Sequence, residues 1–519
     1  MALHNIKGLW RRSLGVGSPS SRIMGQEVHT HSADPVTLAV VGCGQRGNAY
    51  AAYALEDPTA CKVVAIAEPR PKSRAEFAKA HTVDPTLVFN TWQELLAAST
   101  ETIKLLGKRL ADAVIIAVQD HLHLEVALAF AAQGYHILCE KPMATDVEGC
   151  LKMEAAVQKA GVIFGMGHVL RYSPYSKAIT EIIRSGALGP LINIVHVEPV
   201  GYWHFAHSYV RGPWAKEKDT CFSLMTKSCH DIDIVCHWLY PSVPLRVSSF
   251  GSLQLYRKAS KPPMAGAATR CLDCPIEQEC AYSARKVYLE PVSQGNTGWP
   301  AQVLVDGIPD IENVTEALRS GPYGRCIYEC DNDVCDNQVV NMEFSNGASV
   351  SFTMVAQTTL ICERQTRMHF AFGEIVGDMK TFSLTDFRTG KTTKHFPKDE
   401  GGGHGGGDTG LIRSFVEAVR TKQQEVLGTD VKDVTKSHLT VFAAEKSRLE
   451  GKVIDCAAFE QELNWLYVEL QCTAQSWHLD LCLPYWPVPQ TSALFTTVIW
   501  DIHDWEMTRG HTLNTNERL

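Results

Sequence analysis

Two side chains in the sequence combine the chemistry and the setting needed to move a proton. Lys141 stands in Glu140-Lys141-Pro142, directly after the apolar run 135–139. Because proline lacks an amide hydrogen and forces extended geometry on the residue before it, this lysine is expected at the edge of a sheet. His230 lies in segment 227–233, KSCHDID. An ammonium at a strand end and an imidazole with a pKa near neutrality can both exchange a proton with a hydroxyl group.

A glycine pattern suited to a phosphate-binding turn follows the first apolar run. Residues 36–47 read VTLAVVGCGQRG, which puts Gly42, Gly44 and Gly47 in the G-x-G-x-x-G spacing. The first glycine allows a tight turn, the second lets a pyrophosphate approach, and the third lets the next helix pack closely. A second apolar run, 61–67, is followed by Glu68, at the spacing of an acid that binds an adenosine ribose. The pattern predicts a dinucleotide site rather than a plain strand-to-helix turn.

Polar residues also follow a third buried run, 111–118. Gln119 and His123 come after this run, and ligands of open α/β sheets gather at such strand ends. Both residues are therefore expected near the nicotinamide ribose. For His123, a helix-capping or packing role is the alternative.

Composition limits the classes of function. The chain has 519 residues, 45% of them hydrophobic, and a formal net charge of -8. Its length predicts two or three domains of a soluble protein. Its basic residues are dispersed, so no nucleic-acid partner is expected. No apolar run approaches the roughly 20 residues of a membrane span, so no integral membrane protein is expected either.

The seventeen cysteines raise the question of a metal. The N-terminus shows no secretory signal, which favours reduced thiols over a disulfide framework. Cys271-x-x-Cys274 has the short spacing with which two thiolates bind one tetrahedral ion. A structural zinc is one interpretation, and reduced cysteines or a disulfide are the others. The candidate zinc ligands are Cys271, Cys274, Cys280, Cys326 and Cys330.

The chain divides into four predicted parts. Residues 1–33 are expected to be a disordered leader, 34–165 a dinucleotide-binding α/β Rossmann domain, and 166–455 an α+β domain for substrate and oligomerisation. Residues 456–519 form a tail without a predicted role. The leader is basic and serine-rich, without an acid in its first 26 residues, so a mitochondrial transit peptide is the alternative to a cytoplasmic protein.

The motifs together resemble a known family. GCGQRG, Glu68 and residues 138–146, LCEKPMATD, are similar to the glucose-fructose oxidoreductase / inositol dehydrogenase / rhizopine catabolism family, written Gfo/Idh/MocA. The resemblance covers about 36–455. It implies a second domain with a large, open, mostly antiparallel sheet, in agreement with strand-like runs at 191–199, 245–255, 338–344 and 348–356. It also implies NAD or NADP as cofactor, a sugar, cyclitol or polyol substrate, and a homo-oligomer formed through that sheet.

The resemblance assigns roles to individual residues. It places Lys141 beside the nicotinamide and substrate, with Glu140 near the cofactor ribose and Arg171 near the nicotinamide. It supports His230 as the proton-transfer histidine. Inositol dehydrogenase-like members carry an aspartate at the position of Thr226, so the adjacent Lys227 is a further catalytic candidate here. The expected cofactor contacts also include Gln45 and Arg46 of the glycine motif. The expected substrate contacts are His204, Arg211, Trp214, Asp231 and His404.

The sequence leaves the reaction and the cofactor partly open. Hydride transfer to or from a hydroxyl-bearing carbon is the main prediction. An NAD-dependent glycosidase without net redox change and a cofactor-binding regulator are the alternatives. Glu68 should repel the 2′-phosphate of NADP, whereas Arg70 and Lys72 could bind it.

Overall fold

A computed structural model describes residues 34–398 and 400–463 of the chain. The predicted leader and most of the predicted tail therefore lie outside the described residues. The start of the predicted tail forms a short helix, Cys456–Glu462. No helix within the described ranges is long and apolar enough to cross a membrane.

The first sheet has six parallel strands in the order β3-β2-β1-β4-β5-β6. The strands are β1 Val36–Val41, β2 Cys61–Ala67, β3 Val88–Phe89, β4 Ala113–Ile116, β5 His136–Cys139 and β6 Phe164–Met166. The helices between them are α1 Gln45–Glu56, α2 Pro71–Ala80, α3 Trp92–Leu106, α4 His123–Ala132 and α5 Val147–Ala160. Successive residues of β1 enter separate buried cores on the two faces, as parallel sheets require. The predicted Rossmann domain is confirmed.

The second sheet has nine strands in the order β14-β13-β12-β11-β7-β10-β9-β8-β15. The strands are β7 Leu191–Pro199, β8 Pro244–Ser252, β9 Asn337–Phe344, β10 Ser349–Val355, β11 Gln365–Phe370, β12 Gly373–Gly377, β13 Phe382–Asp386, β14 Lys391–His395 and β15 Ile454–Asp455. Every pairing is antiparallel except that of β7 with β10. The turn between β9 and β10 uses Gly347 at φ 83°, as its Asn-Gly sequence predicts.

Helices that follow β6 in the chain connect the two sheets. They are α6 Pro174–Ser185, α7 Tyr202–Phe205, α8 Ser223–Leu239, α9 Glu290–Ser293, α10 Ile311–Ser320, α11 Gly407–Thr421, α12 Val431–Glu450 and α13 Cys456–Glu462. Helix α11 packs on α1 and β1, whereas α12 contacts α5, α8 and β8. This packing brings the carboxyl end of β5 next to α8.

A long irregular segment separates β8 from β9. Residues 253–336 contain only short helices and build a small core of their own around Tyr288 and Leu318. Asp306 of this segment reaches the first domain, where it accepts hydrogen bonds from the amides of Lys72 and Ser73 at 3.1 Å each. The segment thus contacts the N-terminus of α2.

Candidate active site

The glycine turn after β1 has the shape of a pyrophosphate cradle. Gly42 has φ 93°, and a Cβ there would collide with the carbonyl of Ala117. A Cβ at Gly44 would meet only the Arg70 guanidinium, at 3.6 Å, so space remains open above this residue. No side chain caps the N-terminus of α1, which leaves its first amides free to bind an anion. The turn therefore fits the predicted dinucleotide.

Glu68 is held in place by the turn itself. Its Oε2 accepts the Cys43 amide at 2.8 Å, and its Oε1 pairs with the Arg70 guanidinium at 2.8 Å. Burial raises the pKa of Glu68, but hydrogen bonds from Arg70 and Cys43 outweigh burial, so the pKa lies below its usual range. A ribose hydroxyl would meet this carboxylate beside Arg70.

Arg46, which the motif predicts as a cofactor contact, forms ion pairs within the protein. Its guanidinium donates to Glu140 Oε1 at 2.7 Å and to the two oxygens of Asp408 at 2.8 and 2.9 Å. Glu140 also accepts a 2.5 Å hydrogen bond from the Tyr50 hydroxyl. With these partners, Arg46 ties α1 to the loop after β5 and to α11, and Glu140 is an anchor for that loop.

Two more predicted cofactor residues are engaged inside the protein. His123 Nδ1 lies 2.7 Å from the Pro142 carbonyl and Nε2 lies 3.2 Å from the Val118 carbonyl, so this buried ring fixes the lysine loop. Arg171 forms a bidentate pair with Asp233, at 2.6 and 2.7 Å. These contacts hold both side chains in place, and their contact with the cofactor stays a prediction. Gln45 and Gln119 are exposed at strand ends, where a cofactor could reach them.

Lys141 joins the two halves of the chain. It follows β5, and its Nζ donates a 2.5 Å hydrogen bond to the carbonyl of Thr226 on α8. Because Thr226 lies one helical turn before His230, the lysine and the histidine occupy the same cleft. Their roles in proton transfer stay a prediction.

His230 lies in the middle of α8. Its Nε2 accepts a 2.6 Å hydrogen bond from Arg364 Nη2, and its buried Nδ1 has no hydrogen-bond partner among the described residues. Burial, Arg364 and Lys141 lower the pKa of His230 well below its usual range, against an opposing effect of Asp231. His230 is therefore a neutral imidazole whose Nδ1 carries the proton.

Arg364, which the sequence analysis missed, organises this part of the cleft. Only 1% of the side chain is exposed, and Nε lies 2.6 Å from Glu198 and 2.8 Å from Asp231. Asp231 is completely buried in these contacts, and its role in binding substrate stays a prediction. Glu198 comes from β7, Asp231 from α8 and Arg364 from the residues just before β11. No local sequence pattern therefore indicates the cluster.

Lys227, the further catalytic candidate, forms an ion pair inside the protein. Its ammonium lies 2.9 Å from Glu198 and donates to Cys362 Sγ at 3.0 Å. Burial lowers the pKa of Lys227, but Cys362 and Glu198 raise it by more, so the pKa lies well above its usual range. This lysine stays charged and anchors β7 to α8.

His404 has a hydrogen-bond partner, Asp408, that the sequence did not indicate. Its Nδ1 lies 2.9 Å from Asp408 Oδ1, and its ring centre lies 5.8 Å from that of His230. The side chain is 29% exposed, so its second nitrogen can face the cleft. Burial lowers the pKa of His404, and Asp408 raises it in part. An aspartate and a histidine in this arrangement can accept and release protons.

Comparison with known proteins places this cleft in a family. Residues 36–168 match the family model described as "Oxidoreductase family, NAD-binding Rossmann fold", named GFO_IDH_MocA. This part of the chain belongs to the Gfo/Idh/MocA family. The resemblance predicted from the motifs is confirmed, and residues 36–168 have the NAD-binding Rossmann fold of this oxidoreductase family.

Proteins with named activities are similar to a larger part of this chain. The 2,7-anhydro-N-acetylneuraminate hydratase of Escherichia coli (strain K12) is 28% identical over 278 residues, which are 52% of this chain and 71% of the relative. Inositol 2-dehydrogenase 1 of Saccharopolyspora erythraea is 25% identical over 228 residues, 44% of this chain and 60% of the relative. Levoglucosan dehydrogenase in complex with NADH and levoglucosan has a TM-score of 0.58 at 17% identity, over 82% of this chain and 100% of that chain. At that identity, the structural likeness shows the fold alone.

Residues of the aromatic loop after β7 have two kinds of surroundings. His204 lies 3.4 Å from Cys362 Sγ, and the Trp214 indole donates to Asp120 at 2.8 Å. Arg211 is buried, and it donates to the carbonyls of Arg325 and Tyr282 at 2.8 Å each. The contacts of these residues with substrate stay predictions.

The predicted zinc ligands lie outside the cleft, in segment 253–336. Cys271, Cys274, Cys280 and Cys326 line one cavity. Cys330 is not among the lining residues, and its thiol donates to the Cys326 carbonyl at 3.3 Å. The cavity therefore brings together four of the five predicted ligands.

Proposed function

We propose that the protein transfers hydride between C4 of a nicotinamide and a hydroxyl- or carbonyl-bearing carbon of a sugar, cyclitol or related polyol. The observation that carries the proposal is the contact of Lys141 Nζ with α8, which brings this ammonium to the helix of His230. Relatives named inositol 2-dehydrogenase and levoglucosan dehydrogenase support a cyclic polyol or anhydrosugar as the substrate class.

The side chains of the cleft divide the remaining work. The bound nicotinamide supplies the redox chemistry, and the protein orients the substrate and moves the proton. Lys141 exchanges the proton of the reacting hydroxyl, because it can approach from the sheet edge that faces the nicotinamide. The Nδ1–H of His230 donates a hydrogen bond to the same oxygen. His404, oriented by Asp408, passes the proton to solvent.

A panel of cyclitols, sugars and anhydrosugars incubated with NAD and with NADP tests the proposal. Formation of the reduced cofactor with one substrate class, together with an oxidised product identified by mass spectrometry, is the expected result. Binding of the cofactor without turnover of any compound in either direction would favour the regulatory alternative.

A reaction without net redox change is the second candidate. It is favoured by the similarity to a protein named a hydratase, since adding water changes no overall oxidation state. In that case a glycoside or anhydrosugar would be converted to product while the reduced cofactor does not accumulate. The same panel distinguishes the two reactions if product is measured separately from NADH.

The structure supports a preference for NAD over NADP. The carboxylate of Asp306 already occupies the N-terminus of α2, and the ionised Glu68 lies nearby at the end of β2. A 2′-phosphate would meet both negative charges. Asp306→Ala should shift the ratio of kcat/KM values towards NADP by about tenfold, equivalent to about 1.4 kcal/mol. An unchanged ratio in this variant would show that Asp306 plays no part in selecting the cofactor.

The activity should persist into mildly acidic solution. A neutral His404 can accept a proton, and burial lowers its pKa, so the acidic loss of kcat/KM is expected only below about pH 6.5. His404→Gln should remove this acidic limb and lower kcat, which a pH–rate profile measures. If the limb persists unchanged in His404→Gln, another group accepts the proton.

A further inference from the structure

Four cysteine side chains surround one cavity in the segment between β8 and β9. Its lining includes Cys271, Cys274, Cys280 and Cys326, and its volume is about 20 Å³. We propose that these four thiolates bind a thiophilic metal centre, either one zinc ion or an iron–sulfur cluster. The site lies outside the catalytic cleft and goes beyond the proposed function.

The backbone brings Cys326 to the other three cysteines, which all lie within residues 271–280. The Cys274 amide donates to the Cys271 carbonyl at 3.2 Å, which closes a turn between the first two ligands. Cys326 arrives through the isolated bridge between Arg270 and Arg325, and its amide donates to the Thr269 carbonyl at 2.8 Å. Two close ligands on one turn and others from separate segments are a common arrangement in structural metal sites.

The buried side chain of Arg211, beside the cavity, is a second and independent indication that the cysteines carry negative charge. Arg211 Nη2 donates to Cys271 Sγ at 3.2 Å, whereas the buried Nη1 has no hydrogen-bond partner among the described residues. A guanidinium buried against neutral thiols would be poorly compensated. A centre that deprotonates its cysteines would provide the missing negative charge, since metals bind cysteine as the thiolate.

The spacing of the sulfurs bears on which metal is present. Among the described residues, the one group of three potential ligand atoms within 4.8 Å of one another is His168, Cys229 and His438, so no three of these sulfurs approach so closely. A single zinc holds each sulfur at about 2.3 Å, which would require the side chains to rotate inwards. An iron–sulfur cluster separates its four cysteines more widely and needs less movement.

A metal centre at this position would stabilise the segment that packs against Trp203 and His204. Trp299 of the same segment lies against Trp203 and His204, with ring centres 5.1 Å apart in both pairs. Arg211, which contacts Cys271, ends the π-helical stretch Ala206–Arg211 that follows α7. The proposed role of the metal is therefore structural.

Metal analysis of the full-length chain, purified without chelators and under anaerobic conditions, tests the proposal. The expected content per chain is either about one zinc, or about four irons with four acid-labile sulfides and visible absorption. Cys274→Ser and Cys280→Ser should each reduce that content by at least about tenfold, because a four-ligand site loses one thiolate. Cys330→Ser is the matched control and should retain the wild-type content.

Several results would overturn the proposal. One is wild-type protein without stoichiometric zinc or iron after expression with both metals supplied. Others are full metal content in both Cys274→Ser and Cys280→Ser, or a Cys271–Cys274 disulfide found by mass spectrometry in the anaerobic preparation. Equal loss in Cys330→Ser would overturn the assignment of the four ligands. The wild-type measurement alone decides the first case, so the test does not depend on the variants folding.

Discussion

Replacing Lys141 with alanine is expected to lower kcat for hydride transfer by about 10²–10⁴-fold, the range usually supplied by a positioned acid or base. Its Nζ lies 2.5 Å from the Thr226 carbonyl, in the cleft that holds His230. The alanine variant would leave the substrate oxygen without a group that can take or return its proton. Steady-state kinetics with the substrate identified in the panel measure the loss.

Binding measurements separate this effect from damage to the cofactor site. The dissociation constant for NADH should change by less than about threefold, because the pyrophosphate cradle lies in the turn after β1. Added primary amines should restore part of the rate in Lys141→Ala. Lys152→Ala removes a partly exposed lysine of α5, paired with Glu148, and is the matched control with wild-type kcat. A Lys141→Ala enzyme with wild-type kcat would contradict the proposed role.

The parts of the fold and the site that could be predicted from the sequence are those that depend on local patterns. The strand before Gly42, the glycine spacing and the proline after Lys141 each act within a few residues of the chain. The cradle and the lysine therefore appear where the sequence predicts them. The open second sheet was predictable for the same reason, since its strands alternate in burial and the Asn-Gly turn encodes a hairpin.

The charged residues were harder to assign, because their partners are distant in the chain. Arg46 looks like a phosphate ligand in its motif, yet its partners Glu140 and Asp408 lie 94 and 362 residues away. Arg171 and Arg211 likewise have partners that are distant in the chain. An arginine that pairs with a distant carboxylate and an arginine that binds a ligand can have the same neighbours in the sequence. Only the packing of the folded chain distinguishes the two.

Arg364 has the largest predicted effect on stability. The guanidinium lies 2.6 Å from Glu198 and 2.8 Å from Asp231, and all three side chains are almost completely buried. Arg364→Ala leaves these carboxylates poorly compensated, and removing one partner of a buried ion pair costs about 3–5 kcal/mol. Urea unfolding near pH 7 should therefore show a fall of that size in the free energy of unfolding.

The pH dependence and a matched variant identify the cause of the loss. In the wild type, burial raises the pKa of Asp231, but Arg364 and His230 hold it well below its usual range, so its contribution to stability is present above about pH 4 and is lost below. Without Arg364, the pKa of the buried carboxylate rises, and protonation should narrow the deficit as the pH falls from about 7 towards 4. Arg367→Ala removes an exposed arginine of β11 and should change stability by less than about 0.5 kcal/mol. Similar losses in the two variants, or a deficit independent of pH, would mean that Arg364 does not compensate the buried carboxylates.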